Sequence, residues 1–466
     1  MANPNNLKAA LGLVFLAIVF RAISVAVIRP PVFNKVNATR FLEANYHFIH
    51  EGNADRVQVV AEELRRSLPA VVSLATKLSV VRDGTSIERT PPEAAHAYDL
   101  LLLIADRRFC RIVVEKVPAF ALILLQEVRN RPTKGLPILP FVRNIGQEFI
   151  SNKESSLYQE QSGHFSGLLG LERPVTSLLF GSYDFVEACA RRGGSPFDVE
   201  YAVFREFDED QINCFRRAAD AFLGGYLTTT GGTHHSSALM SILRSFETSL
   251  HRAYEMDGLE NYRPTAAYSH LDATVEFIKD TISLVEEHAE KPIVFRTRRK
   301  DFWNLFDELA ELVFEAIFSS SSVSAPVWTA WRIQNNTVWS PIFDFGTTAT
   351  HRIIAFKLRR MIYDEIKKMD RFANFKGARL LGFCLNVLGL KLADRHRGFR
   401  REFYPLQAAA ISWVKANYRV LLAEHPEVAE ACLQGQISYD RDNHRLVQTY
   451  SDRTGKEPSR EFLYLD

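Results

Sequence analysis

Five short stretches of the chain hold residue types that could do chemistry at a usable spacing. "HFIHE" places His47, His50 and Glu51 at i, i+3 and i+4. On a helix that spacing gathers two imidazoles and a carboxylate on one face, part of a metal site. "GGYLTTTGGTHHSS" (224–237) sets glycines and hydroxyls ahead of a helical pattern, where free backbone N–H groups cradle anions. "GHFSG" (163–167) loosely resembles a nucleophile elbow. "DED" (208–210) and "DRD" (440–442) supply neighbouring carboxylates.

Each has a plainer reading, and the sequence favours it. No further ligand stands out for the histidine trio or for His234-His235. The glycine stretch lacks the G-K-[ST] ending and follows no clear strand, so a surface turn is expected. "GHFSG" puts its serine one place off G-x-S-x-G. Asp208 suits a helix start and Asp440 a hairpin turn. No H-E-x-x-H, kinase set or G-x-G-x-x-G is present. No catalytic residue, cofactor or metal is therefore expected. A hydrolase or nucleotide-using enzyme, with a site assembled from distant residues, stays as an alternative.

The elements that would position any site are helical. Apolar residues make up 47% and charged residues 24% of 466 residues, a globular composition too long for one ordinary core. The 33 phenylalanines point to large helix–helix cores. Cys110, Cys189, Cys214, Cys384 and Cys432 form no C-x-x-C pair. They read as small buried hydrophobes in a reducing compartment.

The first element is "LGLVFLAIVFRAISVAVIRPP" (11–31). Between Ala9 and Ile28 only Arg21 and Ser24 are polar, and a helix of that length spans roughly 30 Å, a bilayer's hydrocarbon core. Three readings compete: a signal peptide cleaved after "SVA", a buried core helix, and an uncleaved transmembrane anchor. The anchor is preferred. Arg29, Lys35 and Arg40 outweigh Lys8 across it, which places the bulk of the chain in the cytoplasm, at a bacterial inner membrane.

Beyond it the expected architecture is mostly α: a multi-helix body resembling a short solenoid, closed by a small C-terminal β-hairpin. Gly52 and Asn53 should end one helix and begin the next, and Pro69 should start another element. Residues 130–146, rich in proline, read as a boundary. Asp208 caps a helix ending at Gly224-Gly225, and Ser269-x-x-Asp272 resembles a capping box. Helices are also expected near 239–250, 301–317, 349–370 and 405–422. Residues 324–348 break the pattern and hold three of the five tryptophans. "ISYDRDNHRLVQTY" (437–450) is the hairpin. The divisions expected are 1–32 (anchor), 33–130, 147–290, 291–450 and a loose tail, 451–466.

Charge supplies the remaining signal. From Lys291 to Arg401 there are roughly twice as many Lys/Arg as Asp/Glu, while the whole chain carries only +2. Arg296, Arg298, Arg299, Lys300, Lys357, Arg359, Arg360, Arg397, Arg400 and Arg401 are the candidate surface for anionic lipid headgroups, each worth about 1 kcal/mol near a leaflet. Interleaved aromatics keep nucleic acid open as a partner over 291–401. The expectation is a membrane-anchored, non-catalytic protein acting through binding, as a scaffold, sensor or membrane effector with a protein partner.

Overall fold

A computed structural model describes residues 12–20, 32–82, 91–130, 136–163, 167–288, 303–344, 348–392, 400–450 and 458–465. These residues are mostly helical, end in a small three-stranded sheet, and gather into two units. The first is Met1–Leu179 with Ala188–Asp198; the second is Phe180–Glu187 with Val199–Asp466.

The first unit contains α1 (12–20), α2 (Ala38–Glu51), α3 (Ala54–Arg82), α4 (Pro92–Leu103), α5 (Arg107–Lys116), α6 (Pro118–Arg129), α7 (Leu139–Ser151) and α8 (Ser156–Gln161). The Gly52 N–H donates to Phe48 O at 3.0 Å, and Asn53 Oδ1 accepts from the Arg56 N–H at 3.0 Å. "HEGN" thus closes α2 and opens α3 as its residue types require. Pro69 does not start an element; it lies inside α3. Leu64, Leu68, Val71, Val72 and Ala75 are all buried around it, so packing on both sides carries the helix past the hydrogen bond that proline removes. α3 packs against α2, α4, α5 and α6. This is a bundle around one long helix rather than a solenoid of successive pairs.

At its centre Phe109, Phe120 and Phe141 meet edge to face, 5.4 and 6.4 Å between centroids. α7, which buries Phe141, Ile145 and Phe149, packs on α5, so the expected boundary at 130–146 does not separate it from the helices before it. α1 exposes Leu13, Val14, Phe15, Leu16, Ile18 and Phe20, against the core-helix reading. Among the described residues no helix is long and apolar enough to cross a membrane, and the expected anchor lies only partly within them.

The second unit holds α10 (Tyr201–Arg205), α11 (Glu209–Thr230), α12 (Ser237–Leu250), α13 (Ala266–His288), α14 (Leu305–Ser320), α15 (Val327–Trp331), a π-helix (Arg332–Trp339), α16 (Ser340–Phe343), α17 (Ala349–Lys368), α18 (Phe375–Leu388), α19 (Arg400–Glu424) and α20 (Pro426–Glu430); α9 (Tyr183–Ala190) straddles the division. α13 packs against α11, α12, α14 and α17, and α17 against α14, α18 and α19. Phe204, Phe215, Phe246 and Phe277 form a continuous chain of rings, the first two contacts edge to face and the last stacked, with successive centroids 4.9, 5.4 and 4.6 Å apart.

Two expected helix ends move. Asp208 and Gln211 form the capping box that opens α11, but the helix runs through Gly224-Gly225 to Thr230. A Cβ on Gly225 would strike the Gly181 carbonyl, so this glycine permits close packing and does not stop the helix. Ser269 and Asp272 lie inside α13, whose first turn is held by Thr265 Oγ1 accepting from the Tyr268 N–H at 3.2 Å.

The hairpin forms as β1 (Ile437–Asp440) and β2 (Arg445–Tyr450), pairing Ile437 with Gln448. β3 (Ser459–Tyr464) then adds to β2 in antiparallel register, Leu446 opposite Leu463. This strand replaces part of the expected loose tail: Leu463 and Leu465 are buried, and the Arg445 guanidinium sits 4.2 Å from the Phe462 ring centre.

Candidate functional site

The ten basic residues singled out by charge divide sharply. Arg296, Arg298, Arg299, Lys300 and Arg397 lie outside the described residues, as do the side chains of Arg400 and Arg401 at the start of α19. Lys357 is not a surface residue: it is 4% exposed and its ammonium donates to the Asp307 carboxylate on α14. It sits three residues after buried Ile354 and one before buried Leu358, on the inward stripe of α17.

Arg359 and Arg360 come together at a cleft of about 440 Å³ between α17 and α19. Phe356, Pro405, Leu406 and Ala409 give it an apolar floor, and Tyr363 shares the rim with the arginines. Arg359 Nη1 donates to the Glu402 carbonyl at 2.7 Å and its guanidinium lies 5.1 Å from the Phe356 ring centre, which ties α19 to α17. Arg360 pairs with Asp364 one turn on, N···O 3.1 Å, both half exposed. Such a pair is worth at most about 1 kcal/mol and yields readily to a ligand anion.

The other motifs resolve into structure. His47 Nδ1 lies 3.6 Å from the Glu51 carboxylate, both exposed, and His50 rests on Tyr46, 4.6 Å between centroids. Among the described residues no three His, Cys, Asp or Glu side chains are grouped to hold a metal. The phosphate-loop stretch ends in an anion-accepting helix start, but the anion is the protein's own. Glu187, buried, accepts from Ser236 Oγ at 2.7 Å and from the Ser237 and Ala238 N–H groups at 3.0 and 3.2 Å, occupying the N-terminus of α12. His234 accepts from the Tyr226 hydroxyl through its carbonyl at 2.6 Å. Residues 164–166 of "GHFSG" lie outside the described residues. Asp440 organises the hairpin turn with Asn443 and Arg445. All five cysteines are buried and none is in a disulfide; burial pushes Cys189, Cys384 and Cys432 up to about 12, so they are not reactive thiols.

A second cleft, about 580 Å³, was not signalled by any motif. One wall is the π-helix, which turns Arg332, Asn336 and Thr337 toward it; the facing wall is α13, with Tyr268, Asp272 and Glu276 at successive i+4 steps. The loop Glu260–Arg263 borders it. Tyr268 donates to Asp272 at 3.5 Å, and Lys279 pairs with Glu276 at 2.7 Å. Burial, with the neighbouring Glu276 charge, raises the Asp272 carboxyl above the ordinary range.

π-helical turns recur at functional sites, and this one is held from behind by buried amides. Gln334 Nε2 donates to Gln434 Oε1 at 2.9 Å and to the Val323 carbonyl at 3.1 Å. Gln334 Oε1 accepts from Asn386 Nδ2 at 2.9 Å. Gln434 and Gln448 donate onward to the Ser321 and Asn386 carbonyls, at 2.9 and 3.0 Å. The only trace in the sequence is the loss of helical period over 324–348.

No family model matches the chain, and no curated protein matches it. One solved structure, the crystal structure of an engineered protein, aligns over 84% of this chain and 98% of its own at 12% identity, with a TM-score of 0.24. That score is too low to carry a fold across.

Proposed function

We propose that the protein is a membrane-associated, non-catalytic binding protein whose α17–α19 cleft takes the headgroup of an anionic lipid. The observation that carries this is the cleft's composition: two guanidiniums and a tyrosine at the rim of an apolar floor. A lipid phosphate suits the rim, bidentately for an arginine, and the first methylenes of its chains suit Phe356, Pro405 and Leu406. Arg360's exposed partner is easily displaced.

The N-terminal segment supports the same reading. Six large apolar side chains of α1 are more than half exposed, and burying each in hydrocarbon contributes about 1.5–3 kcal/mol. The flanking Arg29, Lys35 and Arg40 favour a cytoplasmic body.

Flotation of the full chain with vesicles tests it. The basic residues flanking the N-terminal segment favour vesicles doped with phosphatidylglycerol over neutral phosphatidylcholine in parent and variant alike, so the part of the difference lost on changing the cleft arginines reports the cleft. Arg359→Gln with Arg360→Gln should erase most of that difference while far-UV circular dichroism stays unchanged. Equal flotation of the unaltered chain with both vesicles overturns the headgroup reading. Tighter, salt-sensitive binding to RNA or DNA than to anionic vesicles moves the assignment to nucleic acid.

A further inference from the structure

The cleft between the π-helix and α13 sets Arg332 on one wall and Asp272 and Glu276 on the other, with Glu260 and Arg263 on the bordering loop. Arg332, half-buried, contributes the positive wall, and exposed Arg263 adds a second guanidinium from the bordering loop. Among the described residues neither has a hydrogen-bond or ion-pair partner within the protein. The α13 wall carries Asp272, half-buried, whose hydrogen bond among the described residues is the long contact from Tyr268, and Glu276, which pairs with Lys279 on its own helix.

Arg332 and Asp272 both line the cavity, yet no ion pair within 4.0 Å joins them. A half-buried guanidinium and a half-buried carboxylate lining one cavity without pairing leave hydrogen-bonding positions on each that solvent or a ligand can fill. A molecule that brings an anion to one wall and a cation to the other satisfies both at once. Tyr262 and Tyr268, rings edge to face at 5.3 Å, add aromatic surface suited to an ammonium group. Asn336 and Thr337 add neutral donors and acceptors. The volume lies within the range of small-molecule sites, and the amide network behind Gln334 holds the arginine-bearing wall in place before any ligand arrives.

We propose that this cleft binds a small zwitterion of the amino-acid class, its carboxylate on Arg332 and Arg263 and its ammonium on Asp272 and the tyrosine pair. The proposal is independent of the lipid reading, which concerns other residues.

Calorimetric titration of the full chain tests it. The probes are the twenty L-amino acids, with acetate and methylammonium as carriers of one charge each. At least one amino acid should bind at least tenfold more tightly than either single-charge probe. Arg332→Gln should weaken that binding at least tenfold, and Arg263→Gln less, because Arg263 is exposed. Asp272→Asn should weaken it while leaving acetate binding unchanged, a signature that mere loosening of the cleft would not produce. Unchanged melting temperatures confirm that the variants fold. If acetate binds as tightly as the best amino acid, the cleft is a simple anion site and the zwitterion assignment fails. If none of the twenty binds, it also fails.

Discussion

The two clefts of the second unit handle charge in opposite ways. In the α17–α19 cleft both arginines are already engaged, Arg359 with the Glu402 carbonyl and Arg360 with Asp364, and the inward side of the same helix buries a full ion pair, Lys357 with Asp307. The π-helix does the reverse. Its interior side is neutral, with Gln334 tied to Gln434 and Asn386, and its Arg332 is left uncommitted among the described residues. An interior amide satisfies its neighbours without drawing a counter-charge inward. A buried ion pair stands only while both partners remain. The contrast separates a cleft whose arginines must exchange an internal partner for a ligand from one whose arginine holds none among the described residues.

Removing one partner of the ion pair should produce the largest effect. Asp307→Ala takes this carboxylate from the buried Lys357 ammonium, and breaking a buried pair by removing one partner costs about 3–5 kcal/mol. Melting of the full chain should drop accordingly. Asp307→Leu combined with Lys357→Met should recover most of the loss, because apolar residues of similar volume replace a buried pair at little cost. A single variant that melts like the parent would break the contrast between the clefts.

The neutral side should give a smaller and separable effect. Gln334→Leu strands the Gln434 carbonyl oxygen and the Asn386 amide, at a cost on the order of 2 kcal/mol. It should also loosen the wall that carries Arg332. Amino-acid binding should therefore weaken while the difference between anionic and neutral vesicles stays as it was. Parallel loss of both would show that the two clefts are not distinct.

Sequence made the regular helices readable, because their buried residues fall on a 3.6-residue stripe. Ile212, Phe215, Ala219, Phe222 and Leu223 on α11 and Leu239, Ile242, Leu243 and Phe246 on α12 are all buried. The amino-acid cleft was hidden for the same reason. Along the π-helix the buried residues are Ile333, Gln334, Thr337, Val338 and Trp339, two of them polar, so neither period nor apolarity marks it. Glu187 was equally hidden, lying about fifty residues from the α12 start that it caps. The excess of positive charge was legible in composition, but its direction was not. Lys357 is buried and Arg360 exposed, although a three-residue step keeps them neighbours on the helix surface. The spacing of Lys357 from Ile354 was the available signal, and a lysine on an apolar stripe is easily read as solvated.

The finest test concerns pH, since only the charged interior should respond to it. Glu247 on α12 is half-buried and faces Glu308, Glu311 and Glu315 of α14, with Arg244 as its nearest relief and Lys376 engaged by Glu315 at 3.4 Å. Burial first, then these like charges, raise its carboxyl to about 7. A raised carboxyl holds its proton more firmly in the folded chain than in the unfolded one. Its stabilising contribution is complete below the unfolded value near 4.5 and is lost as pH climbs through 7. At pH 8 the folded state must hold an ionised, crowded Glu247. Glu247→Gln keeps the shape and removes that burden. It should raise stability at pH 8 by about 1 kcal/mol, solvent screening of a half-exposed group having trimmed the effect, and the gain should shrink steadily toward pH 4.5. Gln334→Leu, measured across the same range, should cost the same at every pH, because no proton is bound or released along the amide network. A gain from Glu247→Gln that is flat with pH would show that the carboxyl is ionised throughout, and the distinction between a charged and a neutral interior would then lose its chemical basis on the α14 side.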